Sequence, residues 1–563
     1  MFLEIISGAI GSGKSRYMLD EISKHGGKNI IVVPEQFSYA AEKTVVERFG
    51  GAGLNNIEVI TLSRLVLRCI DEKRDRYLTP AGKMMLICTA VKSLPKESLF
   101  GSSAKKPGFI DSAAQIISEF TEYMITPEIL KAKADEAQNP LLREKLSATA
   151  DMFEAYLKLS GADFLDSEED ISRLADVVLG KRLFDGCDFW FDEFSVFLPQ
   201  HYKFMKALLN SGCNVHAAIS ADSYGRELYD VNRSIIYRLK KLAEENGAGI
   251  CEHFTDDRCR KLKSSEMNFL FEHLEDAISP DFEPMEKKTE DISVFVSKDL
   301  YAEVVHTALS IRKLIMEEGY RYKDIAVVCA DMGAYSHIFE AVFNDFSIPY
   351  FADNAISASD HPISTLILEV FDIMVQNWSY ASVLRYLRTG YIYKKEPDGI
   401  FPIDPDSVDM LENYMLKYGI RGKSTWLDDE KWNNAQKGLF EGVLGEEREI
   451  FSKEELEKIN QTRLDIITPF KKLYESLSGR RSVREFAKAL FEFLGDIHLY
   501  EAIVQKSKEL DGAGFRNEAE QIRIIWNIIV ETLNQSVVVM GNKKIKREDF
   551  ADLLKVGLCA QDI

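Results

Sequence analysis

The sequence predicts an α/β fold interrupted by long all-helical stretches. Short apolar runs alternate with helical segments near the N-terminus, which is typical of a parallel sheet with helical crossovers. A glycine-rich loop directly follows the first apolar run, and residues 76–179 and 362–558 show almost only helical periodicity. Because 563 residues exceed what one hydrophobic core supports, we expect several domains.

Composition and charge limit the function classes. Apolar residues make up 46% of the chain and charged residues 28%, as in an ordinary globular protein. The first apolar run has no basic leader, and nowhere do 18 apolar residues stand together, so we expect no signal peptide, no membrane span and a cytoplasmic location. The formal net charge is −20, so nucleic acid binding would need a local basic groove or a partner that supplies part of the contact.

The first α/β part begins with strand, loop and helix. A short helix is predicted over Arg16–Lys24, and Gly108–Met124 is an amphipathic helix in the first helical stretch. A polar region, Asp222–Glu290, leads out of this part. The predicted strands are Phe2–Ile6, Asn29–Val33, Ile57–Leu62, Cys187–Phe191 and Val215–Ser220.

A second α/β unit is predicted to follow. Its helices are expected over Leu300–Glu318 and Ala334–Phe343, before the second helical stretch, which ends in a helix over Arg547–Leu558. Its strands are expected over Ile292–Val296, Asp324–Ala330 and Ile348–Phe351. Aromatic anchors of the last stretch are Trp378, Trp426, Trp432 and Trp526.

Residues 8–15 match the phosphate-binding pattern G-x-x-x-x-G-K-[ST] at every specified position. Glycines let backbone N–H groups turn toward phosphates, Lys14 adds a charge to the same oxygens, and the Ser15 hydroxyl ligates Mg²⁺. A glycine turn with an incidental lysine is the less favoured interpretation, because the loop lies between a strand and a helix. The predicted ATP-binding residues are Gly8, Ala9, Ile10, Gly11, Ser12, Gly13, Lys14 and Ser15.

An acidic pair closes the apolar run Cys187–Phe191. Asp192 would hold the Mg²⁺ ion, and Glu193 would polarise the attacking water, with Lys14 on the phosphates. An acidic cap on the next helix is the alternative. The cysteines carry no comparable signal, because Cys251, His253 and Cys259 fit no zinc spacing and a reduced surface loop is favoured.

Two further loops follow the second and third strands, Pro34–Gln36 and Thr61–Arg64. Both would lie at the carboxyl edge of a parallel sheet, where ligands bind. In a motor protein they would contact single-stranded DNA, whereas an ordinary strand-to-helix turn is an equally good interpretation.

The order of these elements resembles a known family, the B subunit (AddB or RexB) of the AddAB (RexAB) type ATP-dependent helicase–nuclease. The resemblance covers essentially the whole chain. The residues that carry it are Gly8–Ser15, Val33–Phe37, Ile60–Leu65, Leu78–Gly82, Phe191–Phe194 and the unit at Ile292–Phe351.

The resemblance implies two RecA-like P-loop domains of superfamily 1 helicase type, each with a helical insertion, followed by a nuclease domain with a 4Fe-4S cluster. It implies ATP and Mg²⁺ as cofactors, and an A subunit, double-stranded DNA ends and single-stranded DNA as partners. It also implies break processing with Chi recognition for recombination. The expected divisions are 1–75 and 181–275 for the first domain, 76–180 for its insertion, 276–375 for the second domain and 376–563 for its insertion.

The motor is expected to be degenerate. Active superfamily 1 helicases carry the motif D-E-x-Q, but Ser195 stands at its fourth position. The segment Ala221–Gly225 lacks the Gln that senses the γ-phosphate in those helicases. The segment Asp331–Ala334 lacks their phosphate-contacting Arg. An adenine-reading Gln before the loop has no room after Met1. Hydrolysis stays open because Asp192 and Glu193 are present.

The chain is expected to be the N-terminal portion of a longer protein, so nuclease and cluster residues are assigned to none of its positions. Cys559 is expected to be a core residue at a helix end. Three alternatives remain open at this stage: an autonomous ATP-dependent single-strand translocase, a P-loop ATPase unrelated to DNA, and a protein that binds ATP only for stability.

Overall fold

The computed structural model divides the chain into two compact units. Unit 1 comprises residues 1–73, 121–124 and 167–354, and unit 2 comprises residues 74–120, 125–166 and 355–563. The domain boundaries expected at 75–76 and after 275 fall in stretches outside the described residues. The structure describes residues 1–24, 26–53 (51–53 as backbone only), 56–70, 77–95, 97–101, 103, 106–161, 164–275, 282–286, 289–352, 356–432, 451–477 and 479–563.

The secondary structure is mainly helical. The strands are β1 Phe2–Gly8, β2 Asn29–Val32, β3 Ile57–Ile60, β4 Asp188–Phe191, β5 Asn214–Ser220, β6 Gly249–Phe254, β7 Tyr393–Glu396, β8 Gly399–Pro402, β9 Arg481–Ser482 and β10 Lys544–Ile545. The helices are α1 Lys14–Ile22, α2 Ser38–Gly53, α3 Leu62–Cys69, α4 Pro80–Ser93, α5 Pro107–Glu122, α6 Pro127–Glu136, α7 Pro140–Ser160, α8 Asp170–Lys181, α9 Pro199–Asn210, α10 Asp230–Glu245, α11 Ser265–Glu272, α12 Leu300–Glu317, α13 Met332–Asp345, α14 Pro362–Val375, α15 Tyr380–Leu387, α16 Pro405–Tyr418, α17 Lys423–Trp426, α18 Asp429–Trp432, α19 Lys453–Ser476, α20 Val483–Asp496, α21 Leu499–Ala513, α22 Arg516–Met540 and α23 Arg547–Cys559.

Unit 1 contains a parallel sheet of six strands in the order β3-β2-β4-β5-β1-β6. Strands β2 and β4 are buried at every residue, as expected when helices cover both faces of a parallel sheet. One face packs against α1 and α2, and the other against α3, α8, α9 and α10. The five strands predicted in this part are confirmed within a few residues of their expected ends.

Strand β6 was missed by the sequence prediction, which assigned its residues to a polar region. It pairs with β1 at the edge of the sheet, and most of its residues are exposed. An exposed edge strand lacks the apolar pattern that marks a buried strand, which is why periodicity did not reveal it.

The strands predicted over Ile292–Val296, Asp324–Ala330 and Ile348–Phe351 are not formed in the described residues 289–352. The predicted helices are confirmed as α12 and α13, which pack together through a small apolar cluster. Apolar β-branched runs favour extended backbone, but a strand also needs a hydrogen-bonded neighbour. These runs have none here, and Val294 and Val328 are 89% and 93% exposed.

Unit 2 is almost entirely helical, as predicted, except for two small antiparallel strand pairs, β7–β8 and β9–β10. Its core joins residues from both helical stretches of the sequence, since α4 packs against α7, α22 and α23. Trp378, Trp426 and Trp432 are buried in this core. Helix α22 has the length and apolar composition of a membrane span, but its buried residues pack within unit 2 against α4, α20 and α21.

Candidate nucleotide-binding site

The glycine-rich loop connects β1 to α1 at the carboxyl edge of the sheet. Gly8, Gly11 and Gly13 have positive φ angles of 154°, 73° and 104°. A Cβ atom on Gly8 would lie 2.0 Å from Oγ1 of Thr255, and one on Gly11 would lie 2.5 Å from Sγ of Cys259. The loop therefore requires glycine both for its backbone conformation and for the close approach of its neighbours.

Lys14 turns its ammonium group onto the loop. Its Nζ atom donates to the carbonyl oxygens of Gly8 at 3.2 Å and Ala9 at 2.9 Å. Burial lowers the pKa of Lys14, while the nearby carboxylates of Asp192 and Glu193 oppose that shift. The three groups therefore share one electrostatic environment, as the sequence predicted.

The acidic pair lies where β4 ends. The Asp192 backbone N–H donates to the carbonyl oxygen of Val32 at 3.1 Å, and the Ser15 hydroxyl is close enough to the Asp192 carboxylate to oppose a rise in its pKa. Burial raises the pKa of Asp192 to about 6. A hydroxyl beside a buried carboxylate is an oxygen pair that suits Mg²⁺, which takes one or two protein carboxylates plus phosphate oxygens and water.

Glu193 has an unusual backbone conformation. Its φ angle is 61°, in the left-handed region that residues other than glycine rarely occupy. Its N–H donates to the carboxylate of Asp192, and its own side chain is exposed. Strained backbone of this kind is frequent at functional sites, so the geometry agrees with a catalytic role.

A segment that sequence reasoning missed covers the loop. We call residues 255–263 the strap; it follows β6. The Ala9 N–H donates to the carbonyl oxygen of Asp256 at 2.9 Å, and the Arg260 N–H donates to that of Gly11 at 3.0 Å. The only sequence signal for it is a run of basic residues after an unrecognised strand.

Two more hydrogen bonds fix the glycine-rich loop. The Ser12 and Thr255 hydroxyls lie 2.7 Å apart, and the Ile10 N–H donates to the Tyr229 hydroxyl at 3.3 Å. The eight predicted residues thus form the end of β1, the loop itself and the start of α1, and Ala9, Gly11 and Ser12 hydrogen-bond to the strap.

The other two predicted loops lie at the same edge but on strands distant from β1 in the sheet order. Glu35–Phe37 forms a single 3-10 turn, and the Thr61 hydroxyl accepts from the N–H of Arg64 at 3.3 Å as the cap of α3. Arg64 pairs with Glu42 at 3.1 Å. These contacts match an ordinary strand-to-helix turn, and DNA contact by these loops stays a prediction.

The segments in which phosphate sensors were sought have local structural roles. The Asp222 carboxylate accepts from Nε of Arg226 at 2.6 Å, and the Ser223 N–H donates to Asp257 of the strap at 2.8 Å. Asp331 caps α13 by accepting from the N–H of Ala334 at 3.2 Å.

No cluster of three or more His, Cys, Asp or Glu side chains suited to a metal ion occurs among the described residues. Cys251 is exposed on β6, whereas Cys259 is buried against the glycine-rich loop. These two thiols therefore face different surroundings.

Comparison with known proteins agrees with this site. Residues 5–275 match the family model described as "ADDB, N-terminal". A protein of Clostridium acetobutylicum, named as the B subunit of an ATP-dependent helicase/deoxyribonuclease, is 34% identical over 99% of this chain and 48% of its own length. Proteins named in the same way from Clostridium novyi and Acetivibrio thermocellus are 30% and 31% identical over 99% of this chain, and 48% and 49% of their lengths.

The chain spans about half the length of the curated relatives it matches. The family match and the relatives together confirm the resemblance found in the sequence. Residues 5–275 form an AddB N-terminal region, and the chain as a whole is similar to proteins named as the B subunit of an ATP-dependent helicase/deoxyribonuclease.

Proposed function

We propose that this chain is the ATP-binding, helicase-like part of the B subunit of a heterodimeric ATP-dependent helicase–exonuclease. The complete enzyme would process double-strand DNA breaks, with Chi recognition, for recombinational repair. The observation that carries ATP binding is the position of Lys14, because its ammonium group lies on the glycine-rich loop and is close enough to Asp192 and Glu193 to feel their charges, which joins the phosphate loop to the acidic strand end. The names of the relatives support the rest.

The roles of the site residues follow from their chemistry. The loop amides of residues 8–15 and the Lys14 ammonium would bind the polyphosphate, and Ser15 and Asp192 would hold Mg²⁺. The ion neutralises phosphate charge when it is bound. Glu193, exposed and next to Asp192, would orient and polarise the attacking water.

The parallel sheet supports a RecA-like first domain formed by residues 1–75 and 181–275, with residues 76–180 inserted. In the same proposal, residues 276–375 begin a second RecA-like domain, and residues 376–563 are its helical insertion. The motor would be degenerate, and an A subunit would drive unwinding of double-stranded ends in the cytoplasm. Nuclease chemistry and the iron–sulfur cluster are assigned to no residue of this chain.

The test compares this chain, with and without an A subunit, in nucleotide binding, ATP turnover and binding of duplex DNA ends. Wild type should bind Mg-ATP, and Lys14→Ala should lose at least about tenfold in affinity because a charge-assisted phosphate contact is removed. End binding should need the A subunit. Equal ATP affinity of wild type and Lys14→Ala would contradict the nucleotide site, and normal resection by a complex that lacks this region would contradict its role.

The intact geometry of Asp192 and Glu193 favours one second candidate, an autonomous single-strand translocase. It predicts that single-stranded DNA stimulates ATP turnover by this chain alone, and that Lys14→Ala abolishes the stimulation. Turnover that appears only with an A subunit would exclude it.

A further inference from the structure

The strap carries an unusual concentration of positive charge for this protein. Arg258, Arg260, Lys261 and Lys263 occupy four of six consecutive positions in a chain whose net charge is −20. Asp256 and Asp257 precede them, so the strap holds four cationic side chains against two carboxylates. A net charge of +2 therefore remains within the strap.

Arg260 is a strap cation that lies against the phosphate-binding turn. Its backbone is fixed there, because its N–H donates to the carbonyl oxygen of Gly11 at 3.0 Å. A Cβ atom on Gly13 would lie 3.5 Å from Nη1 of Arg260, so the guanidinium lies against the glycine that precedes Lys14.

The Arg260 side chain is also available. It is 57% exposed, and its nearest carboxylate partner is Asp256 at 3.6 Å, which is longer than a hydrogen bond. It borders a surface cavity of about 740 Å³ that is lined by strap residues, α11 residues and Met285. The guanidinium therefore borders open space and is not packed in the protein interior.

Lys261 adds a second charge nearby. Its Cγ atom would lie 3.6 Å from a Cβ on Gly11, and its charge acts on Lys14. Lys14 itself lies on the loop, where it donates to two carbonyl groups. Cations from both sides of the loop thus converge on the place where a polyphosphate would lie.

We propose that Arg260 of the strap completes the nucleotide site by contacting the terminal phosphates of a bound nucleoside triphosphate. This inference rests on the proposed function. A guanidinium offers paired N–H donors to two phosphate oxygens, so it distinguishes a chain of phosphates more sharply than a point charge does. In this proposal Arg260 takes the role of the phosphate-contacting arginine that residues 331–334 lack. Arg260 lies in unit 1, as the glycine-rich loop does.

The experiment measures the affinities of wild type and variants for Mg-ATP, ADP and AMP by titration with fluorescent nucleotide analogues. Arg260→Gln should weaken ATP binding about ten- to a hundredfold, ADP binding less, and AMP binding least. Arg260→Lys should lie between wild type and Arg260→Gln, because it keeps the charge and loses the paired donors. Arg258→Gln is the matched control: it removes a strap arginine that is 79% exposed and lies beside Asp256, and it should change ATP affinity less than about threefold.

The outcomes separate the two proposals. ATP affinity that depends on Lys14 but is unchanged in Arg260→Gln would overturn this inference and leave the proposed function standing. ATP affinity that is independent of Lys14 would overturn the proposed function first. An equal loss for ATP and AMP in both Arg260 variants would also overturn the inference, because it would mean a general disturbance of the strap rather than a contact with terminal phosphates.

Discussion

Replacing Glu193 by glycine should stabilise the protein while removing a catalytic group. Glu193 has a φ angle of 61°, and a left-handed conformation costs an L-residue roughly 1–2 kcal/mol. Glycine adopts it without that cost but loses about 0.5–1 kcal/mol more conformational entropy on folding. The expected net gain in the free energy of unfolding is therefore about 0–1.5 kcal/mol, or at most roughly 3 °C in Tm when unit 1 unfolds by itself.

The reference for this measurement is Glu193→Gln, which keeps the backbone strain and also removes the carboxylate. Thermal unfolding without nucleotide should rank Glu193→Gly above Glu193→Gln, and both variants should lose whatever ATP turnover wild type shows. The backbone N–H of residue 193 still donates to Asp192 in either variant. The stability difference therefore isolates backbone strain from side-chain chemistry.

Ser347→Gly is a matched control, because Ser347 is exposed and has a φ angle of 52° far along the chain from the loop. It should raise Tm by a similar amount and leave ATP turnover unchanged. Should Glu193→Gly unfold at a lower temperature than Glu193→Gln, the reasoning that the acidic strand end stores strain would be refuted.

Three further predictions concern other contacts. Gly11→Ala should abolish ATP binding in a titration, because the new methyl would lie 2.5 Å from a cysteine Sγ atom. Burial opposes both charges of the Glu4–His216 pair, but their 2.6 Å hydrogen bond lowers the pKa of Glu4, and the carboxylates of Asp188 and Glu4 together raise that of His216. Glu4 therefore contributes to the free energy of unfolding above the ordinary glutamate pKa, and this contribution is lost as pH falls. His216 contributes below the ordinary histidine pKa, and its contribution is lost as pH rises. Glu4→Gln should cost about 3 kcal/mol in urea unfolding near pH 5–6, and less on either side. Lys92→Met should lower the unfolding free energy by about 1 kcal/mol, because its Nζ atom lies 3.0 Å from Asp549.

What the sequence predicted best is local. The turn at residues 8–15 needs only its own glycines and the flanking strand and helix, and the acidic pair after β4 closes a strand that is buried at every residue. Helices such as α5 and α12 follow from periodicity within one element. In each case the residues that decide the structure are neighbours in the sequence.

What the sequence could not predict depends on partners distant in the chain. The strap reaches the glycine-rich loop only because β6 pairs with β1, about 250 residues earlier. The extended runs around Val294 and Val328 have strand-like composition, but composition does not supply the neighbour that a strand requires.

Helix α4 shows that a sequence can indicate that a helix is buried without indicating which elements bury it. Its residues 81–91 are buried on every side, and a helix enclosed all round must be surrounded by other elements. The enclosing helices include α22 and α23, more than 400 residues away, so the two helical stretches fold as one core in unit 2. The residues of the nucleotide site all belong to unit 1.

Two variants, one in each unit, test whether stability and ATP binding are separate. Lys92→Met should lower stability without changing ATP affinity, whereas Gly11→Ala should abolish ATP binding without weakening the contacts of α4. Loss of ATP binding in Lys92→Met under folded conditions would mean that the site depends on the helical core, and the assignment of nucleotide binding to unit 1 alone would be wrong.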